Sequence, residues 1–441
     1  MPVSVDVPWY KSLNRKQWFT LFASNLGWLF DGYETYALIL TSGPALHELL
    51  APSDLPRLPA YIGAVIGIGL LGWGVGGMIG GIMADYIGRK RMMLVAILAY
   101  SAMTALSALS FDWWSLALFR FLVGVAIGSE WATGSSMIAE VWPDNARGKG
   151  AGLMQCGLGI GFFIASLLWL FVAPIGAGSW RIMYVIGVLP ALLTLWIRRA
   201  IPESELWKLA AARRAEAQRR LEEGKSLSAG EKQETKFTLS ELFTNPATRW
   251  STIIVFLMSL ATTVGFWSIS TWVPPFIGAT AGHLGLLVAR WSSFAGMAYT
   301  AGSITGYVAF GFIADALGRK PTTLAFFVLA LAMTPVLFFT TAEPVPLLAL
   351  AFLNAIFSNG QYSWMPVWLP ELYPTRMRAT ALAFAFNAPR FIAFLGPFLA
   401  GAMITAFGGY GRAAMVLALI YVPAIIVTPF LPETRGRPLP A

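Results

Sequence analysis

Apolar stretches long enough to cross about 30 Å of hydrocarbon, at about 1.5 Å of rise per residue, recur along the chain from Trp18 to Leu431. Short polar segments separate them. The pattern predicts helical spans at 18–43, 60–84, 92–110, 113–142, 149–175, 181–198, 250–276, 289–314, 321–340, 344–370, 379–406 and 412–431. The first seventeen residues are polar and basic, and the apolar run behind them is too long for a signal peptide and lacks a cleavage site. A retained first helix is therefore expected. Between Arg198 and Arg249 the hydrophobicity collapses into mixed charge, including RRAEAQRRLEEGK, which reads as a surface helix or a mobile linker. The expected architecture is an all-α membrane protein of twelve transmembrane helices in two pseudo-symmetric bundles, 1–198 and 249–441, joined by a linker at 199–248.

Composition agrees with the pattern: of 441 residues 57% are hydrophobic and only 12% charged, where a soluble chain carries nearer a quarter. The formal net charge of +9 could point to nucleic acid. Its placement points elsewhere. Lys11, Arg15, Arg89, Lys90, Arg147, Lys149, Arg319, Lys320, Arg378 and Arg435 all fall on one side of a twelve-span topology. Positive residues stay inside, so both termini and the linker are expected in the cytoplasm, with the chain in the cell's inner membrane. No nucleic-acid partner is expected. One cysteine, Cys156, excludes an intramolecular disulfide, and two histidines, His47 and His283, in predicted outer loops leave no metal site. Without a nucleophile, metal or nucleotide motif, neither an enzyme nor a cofactor is expected, and the missing P-loop removes ATP as a driving force.

The two halves are copies. GIMADYIGRK at 81–90 returns as GFIADALGRK at 311–320, and Asp85 recurs as Asp315, 230 positions later. Glu140, Pro143 and Arg147 recur as Glu371, Pro374 and Arg378, 231 later, and PES at 202–204 returns as PET at 432–434. Six spans per half make the repeats parallel, a transporter plan with the substrate site between them near the membrane midplane.

GIMADYIGRKR and its copy resemble the loop between the second and third helices of the major facilitator superfamily. GVAIGSEWATGSSMIAEVWPDNAR follows the signature of that superfamily's sugar-transporter-like members, with Met137 in place of the usual residue. GSEWATG, AEVWP and FNAPRFIAFLGP are similar to the metabolite, sialate and lactate proton symporters, and DGYE at 31–34 resembles an element of the aromatic-acid proton symporters, with Glu34 replacing an aspartate. The resemblance implies that Asp85, Arg89, Lys90, Glu140 and Arg147, with Asp315, Arg319, Lys320, Glu371 and Arg378, form a charge network that locks the inner helix ends; positive-inside anchoring is the plainer alternative. It also implies a pairing of the helix-one acid Glu34 with the helix-four Arg120.

Charges inside spans are costly and usually mark a transport path. Asp31, Glu34, Arg120 and Arg390 have apolar or glycine counterparts in the other half, whereas Glu130 stands opposite Gln361. Asp31 and Glu34, three apart on one helical face, should resist double ionisation and so bind a proton reversibly; Glu130 either joins them or is a scaffold acid. Arg390 offers two parallel donors to a carboxylate, with Asn387 on the same face and Pro389 freeing backbone carbonyls. Arg120, Gln155, Trp267, Asn354, Gln361 and Tyr362 are further candidate substrate contacts. The expected function is proton-coupled symport of a small organic anion (monocarboxylate, sialate-like or aromatic acid) by a monomer working through alternating access. A proton-coupled sugar or polyol porter and a metabolite or drug exporter of the same fold are the alternatives.

Overall fold

In the computed structural model, residues 8–189, 196, 203–395, 403 and 406–440 are described. The expected bundle boundary at 198 and the far parts of the sixth and eleventh spans lie outside them. The first helix, Arg15–Leu49, opens on a capping box in which the Asn14 side chain accepts from the Gln17 backbone N–H at 3.0 Å and Gln17 returns the bond at 2.8 Å. The second to fifth helices run Leu58–Ile87, Arg89–Ala108, Trp113–Val141 and Arg147–Val172, and the sixth begins at Ser179. After the linker helix Glu205–Glu222, the seventh to ninth are Arg249–Ser270, Val288–Leu317 and Arg319–Phe339. Eight of the described helices are long and apolar enough to cross a membrane.

Among the described residues the tenth and eleventh spans are broken, as is the twelfth, between Tyr410–Ala418 and Tyr421–Val427. The tenth begins as Pro344–Ser358, tightens into a 3-10 turn at Gly360–Ser363 and continues as Trp364–Trp368. The eleventh, Arg378–Asn387, stops at Pro389, which has no N–H to give, and resumes as Arg390–Ala393.

Helices pack first against fifth and second against fourth within the N-terminal half. A Cβ on Gly76 would strike the Val125 carbonyl, so these glycines let backbones touch. The halves meet along the fifth and eighth helices and along the second and eleventh.

At the basic end the two halves are clasped by exchanged caps. Asp85 accepts from the backbone N–H groups of Ala379 and Thr380, at 3.3 and 2.8 Å, where the eleventh helix begins. Asp315 accepts from those of Gly148 and Lys149, at 3.2 and 3.0 Å, where the fifth begins. Each carboxylate thus meets the positive end of a helix in the opposite half. Arg378 reaches Glu140 at 3.0 Å, and Arg147 reaches Glu371 at 3.2 Å. Arg89 ties Asp85 to Glu140, at 3.0 and 3.2 Å, and Arg319 ties Asp315 to Glu371, both at 2.8 Å. Lys320 stays outside this lattice: its ammonium donates to the Pro429 carbonyl within its own half, at 2.9 Å, because the side chain leaves the ninth helix toward the surface.

The repeated PES and PET segments carry a second set of caps. Glu203 accepts from the backbone N–H groups of Arg89 and Lys90, and Glu433 from those of Arg319 and Lys320. Gly88 and Gly318 precede these helices at φ 108° and 114°, in the left-handed region that glycine alone adopts cheaply. Burial alone would push the Glu433 carboxyl up, but four backbone N–H groups outweigh it and hold the carboxyl below its usual range.

Candidate functional site

With the basic end clasped, open space lies toward the other end. A cavity of about 540 Å³ is bounded by the outer parts of the first and fifth helices (Tyr36, Leu40, Phe162, Trp169) and the seventh and eighth (Trp267, Ser292, Tyr299), with Pro274 from the helix Val273–His283 between those two and Asn359 from the tenth. Trp267 also borders a small void beside Glu34 and Arg120, and another beside Arg390. It therefore stands between the outer cavity and both charged sites.

Arg390 is 2% exposed and has no carboxylate within ion-pair distance among the described residues. Its guanidinium lies 4.5 Å from the Trp73 ring centre and 4.0 Å from that of Phe386, and donates to the Phe386 carbonyl. Its Nε has no partner. Trp28, Leu158, Phe162, Phe266, Trp267 and Tyr362 complete the walls of the void it borders. The break at Pro389 turns this charge inward between the halves, and Trp73 reaches it from the second helix. The void holds about 10 Å³, no more than a water, so it takes a planar anion edge-on to the guanidinium and face-on to the rings only once it widens.

Glu34 and Arg120 meet at 3.3 Å, both buried. Thr104 donates to Glu34 at 2.9 Å, Ser107 is bonded to the Arg120 guanidinium, and the Tyr184 ring lies 4.2 Å from it. Asp31 does not share this pair. Both Asp31 oxygens are without a partner, and the Glu130 carboxyl packs against Gly27, one turn before Asp31. Asp31 and Glu34 share a helical face, but the cation belongs to Glu34.

Several candidates bond to their own or a neighbouring helix rather than lining the outer cavity. The Gln155 side chain accepts from Trp131 Nε1 at 2.9 Å, Asn354 accepts from Ser358 at 2.8 Å, and Gln361 accepts from Thr262 at 2.7 Å. Asn387 donates back to the Ala383 carbonyl at 2.9 Å and packs on Gly77 of the second helix. Tyr362 bonds Thr263 at 3.2 Å while its ring borders the Arg390 void. Sequence reasoning missed Trp73 and Phe386, which hold the arginine, and Thr104 and Ser107, which hold the acid–base pair. Trp and Phe look alike whether they face lipid or a cavity, so no local signal marked them.

The family model for "Sugar (and other) transporter" matches residues 19–441. The chain belongs to this family, within the major facilitator superfamily. Among curated relatives, the transporter is 28% identical to the sialic acid transporter NanX of Escherichia coli over 421 residues, covering 95% of each chain. It is 26% identical to the niacin transporter NiaP of Acinetobacter baylyi over 434 residues, 95% of this chain and 94% of that one. Among solved structures, the proton:xylose symporter XylE bound to 6-bromo-6-deoxy-D-glucose matches with a TM-score of 0.77 and 21% identity, over 96% of this chain and 98% of that one. The transporter thus has the twelve-helix fold of the superfamily, is a multi-pass membrane protein handling small organic substrates, and is not an enzyme.

Proposed function

We propose that the transporter carries a small organic anion together with protons across the cell's inner membrane, by alternating access and as a monomer. In this reading residues 1–198 and 249–441 are the two rocking bundles, and the termini and the 199–248 linker are cytoplasmic. The observation that carries it is Arg390: a buried cation with no carboxylate partner among the described residues, held by rings contributed from both halves. A lone charge at mid-membrane costs about 2.5–3.5 kcal/mol on insertion scales, so it persists where something compensates it. An anionic cargo does so. Sialic acid and niacin, named for the relatives, are both carboxylates.

Glu34 supplies the coupling. Ionised, it holds Arg120 at 3.3 Å and the pair is neutral; protonated, it lets go of Arg120, whose charge then draws the anion inward. Loading a proton and an anion together leaves the net charge of the site as it was, so the loaded carrier reorients with the same charge as the empty one. In proteoliposomes, Glu34→Ala is expected to abolish accumulation of carboxylate against its gradient while sparing exchange. Unchanged uphill uptake by this variant would contradict the assignment.

A further inference from the structure

Asp31 and Glu130 form a carboxyl pair for which the Glu34–Arg120 chemistry has no use. Asp31 is 0% and Glu130 2% exposed, and none of their four carboxyl oxygens has a hydrogen-bond donor. The Glu130 carboxyl packs against Gly27, one turn before Asp31 on the first helix, and the Asp31 side chain leans back toward that turn, which brings the two acids side by side. Ionised carboxylates are acceptors only, so such a contact is repulsive in low dielectric unless a proton lies between them. The chain makes room for it: Gly27, one turn from Asp31, leaves the space into which a Cβ would otherwise drive against the Glu130 carboxyl.

The second half shows what this position looks like when only structure is required. There the counterpart of Glu130 is Gln361, whose side chain accepts from Thr262 at 2.7 Å and donates to the Ser358 carbonyl at 3.1 Å. A neutral amide satisfies the fold without a charge. The other groups acting on the Asp31–Glu130 pair are Glu34 on the same helix and, on the third, Tyr100, whose buried hydroxyl has no partner. The neighbouring cation, Arg120, is taken by Glu34 and Ser107.

We propose that the Asp31–Glu130 pair is a second proton-binding site, distinct from Glu34, that takes up and releases one proton in each transport cycle. The proton is shared between one oxygen of each carboxyl and leaves to water when the pair is opened to solvent; no electrons change hands. This rests on the reading of the chain as a proton-coupled carrier, and it makes coupling a matter of two protons rather than one.

Infrared difference spectra of the full chain in liposomes, recorded across pH steps without substrate, test it. In steps above about pH 6, where exposed carboxyls with ordinary values of about 4 are already ionised, the wild type is expected to show two titrating carboxylic C=O components. Glu130→Gln, which gives the first half the amide that the second half carries at 361, should lose one and keep the other; Asp31→Asn should lose the same one, and Glu34→Gln only its companion. A single titrating component in the wild type would overturn the proposal, as would a second component present at every pH or indifferent to both Glu130→Gln and Asp31→Asn. Because the wild-type spectrum alone can refute it, misfolding of a variant does not shelter it. A Glu34→Gln spectrum that keeps both components would count against the coupling role given to Glu34 and leave the pair standing.

Discussion

Trp267 shows how much can turn on one side chain. It is buried, its indole N–H has no partner, and it borders the outer cavity as well as the voids beside Glu34 and Arg390. A ring in that place can stack on a bound cargo and also keep bulk water from the arginine. Aromatic pairs contribute about 0.5–1.5 kcal/mol beyond the area they bury, which is up to about tenfold in affinity. Trp267→Ala is expected to raise the KM for carboxylate uptake by up to that factor and to leave the preference for anions over neutral sugars intact. Uptake kinetics on a carboxylate and its neutral amide check both parts. At the same scale, the sequence displayed the ionisable residues inside spans plainly, because each breaks an apolar run; it hid Trp73 and Phe386, which break nothing.

Helix ends carry the repeat. Glu203 and Glu433 each cap the N-terminus of a helix in their own half, the third and the ninth, whereas Asp85 and Asp315 each cap one in the opposite half. Capping contacts of this kind stabilise a helix by about 0.5–2 kcal/mol. Glu203→Ala and Glu433→Ala should therefore lower the melting temperature of the purified transporter modestly and leave substrate preference unchanged. For Glu433, whose carboxyl is held below its usual range when folded, the stabilising contribution is present at neutral pH and lost as pH falls through the folded value. The melting difference between wild type and Glu433→Ala should accordingly shrink in acid. The copied PES and PET segments announced that these sites mattered, but not how: a sequence repeat marks a position, and only the fold brings residue 203 to the start of a helix at 89. The breaks in the tenth and eleventh helices were legible only where proline caused them.

For the molecule as a whole, the exchanged caps join the two halves at the basic end and the cavity lies on the far side; under the proposed function this is a lock that holds an outward-facing state. Asp85 accepts three hydrogen bonds from Ala379 and Thr380, and charge-assisted bonds contribute about 1.5–3 kcal/mol each. Asp85→Asn keeps the shape and removes the charge, so the balance should move toward the opposite opening, seen as a longer distance between spin labels on the two halves at the basic end. An unchanged distance distribution would mean that the lock does not depend on this charge. The internal repeat marked the acids and arginines that meet at the basic end, since both copies kept them; it could not foretell that the partners are exchanged between halves. Carboxylate accumulation by proteoliposomes under an imposed pH gradient, measured across lactate, sialic acid, niacin and xylose for wild type and Arg390→Gln, bears on the whole reading at once. At least one carboxylate should accumulate above its equilibrium level in a gradient-dependent way, and Arg390→Gln should lose that accumulation while remaining folded; accumulation of xylose alone, or carboxylate accumulation indifferent to Arg390→Gln, would contradict it.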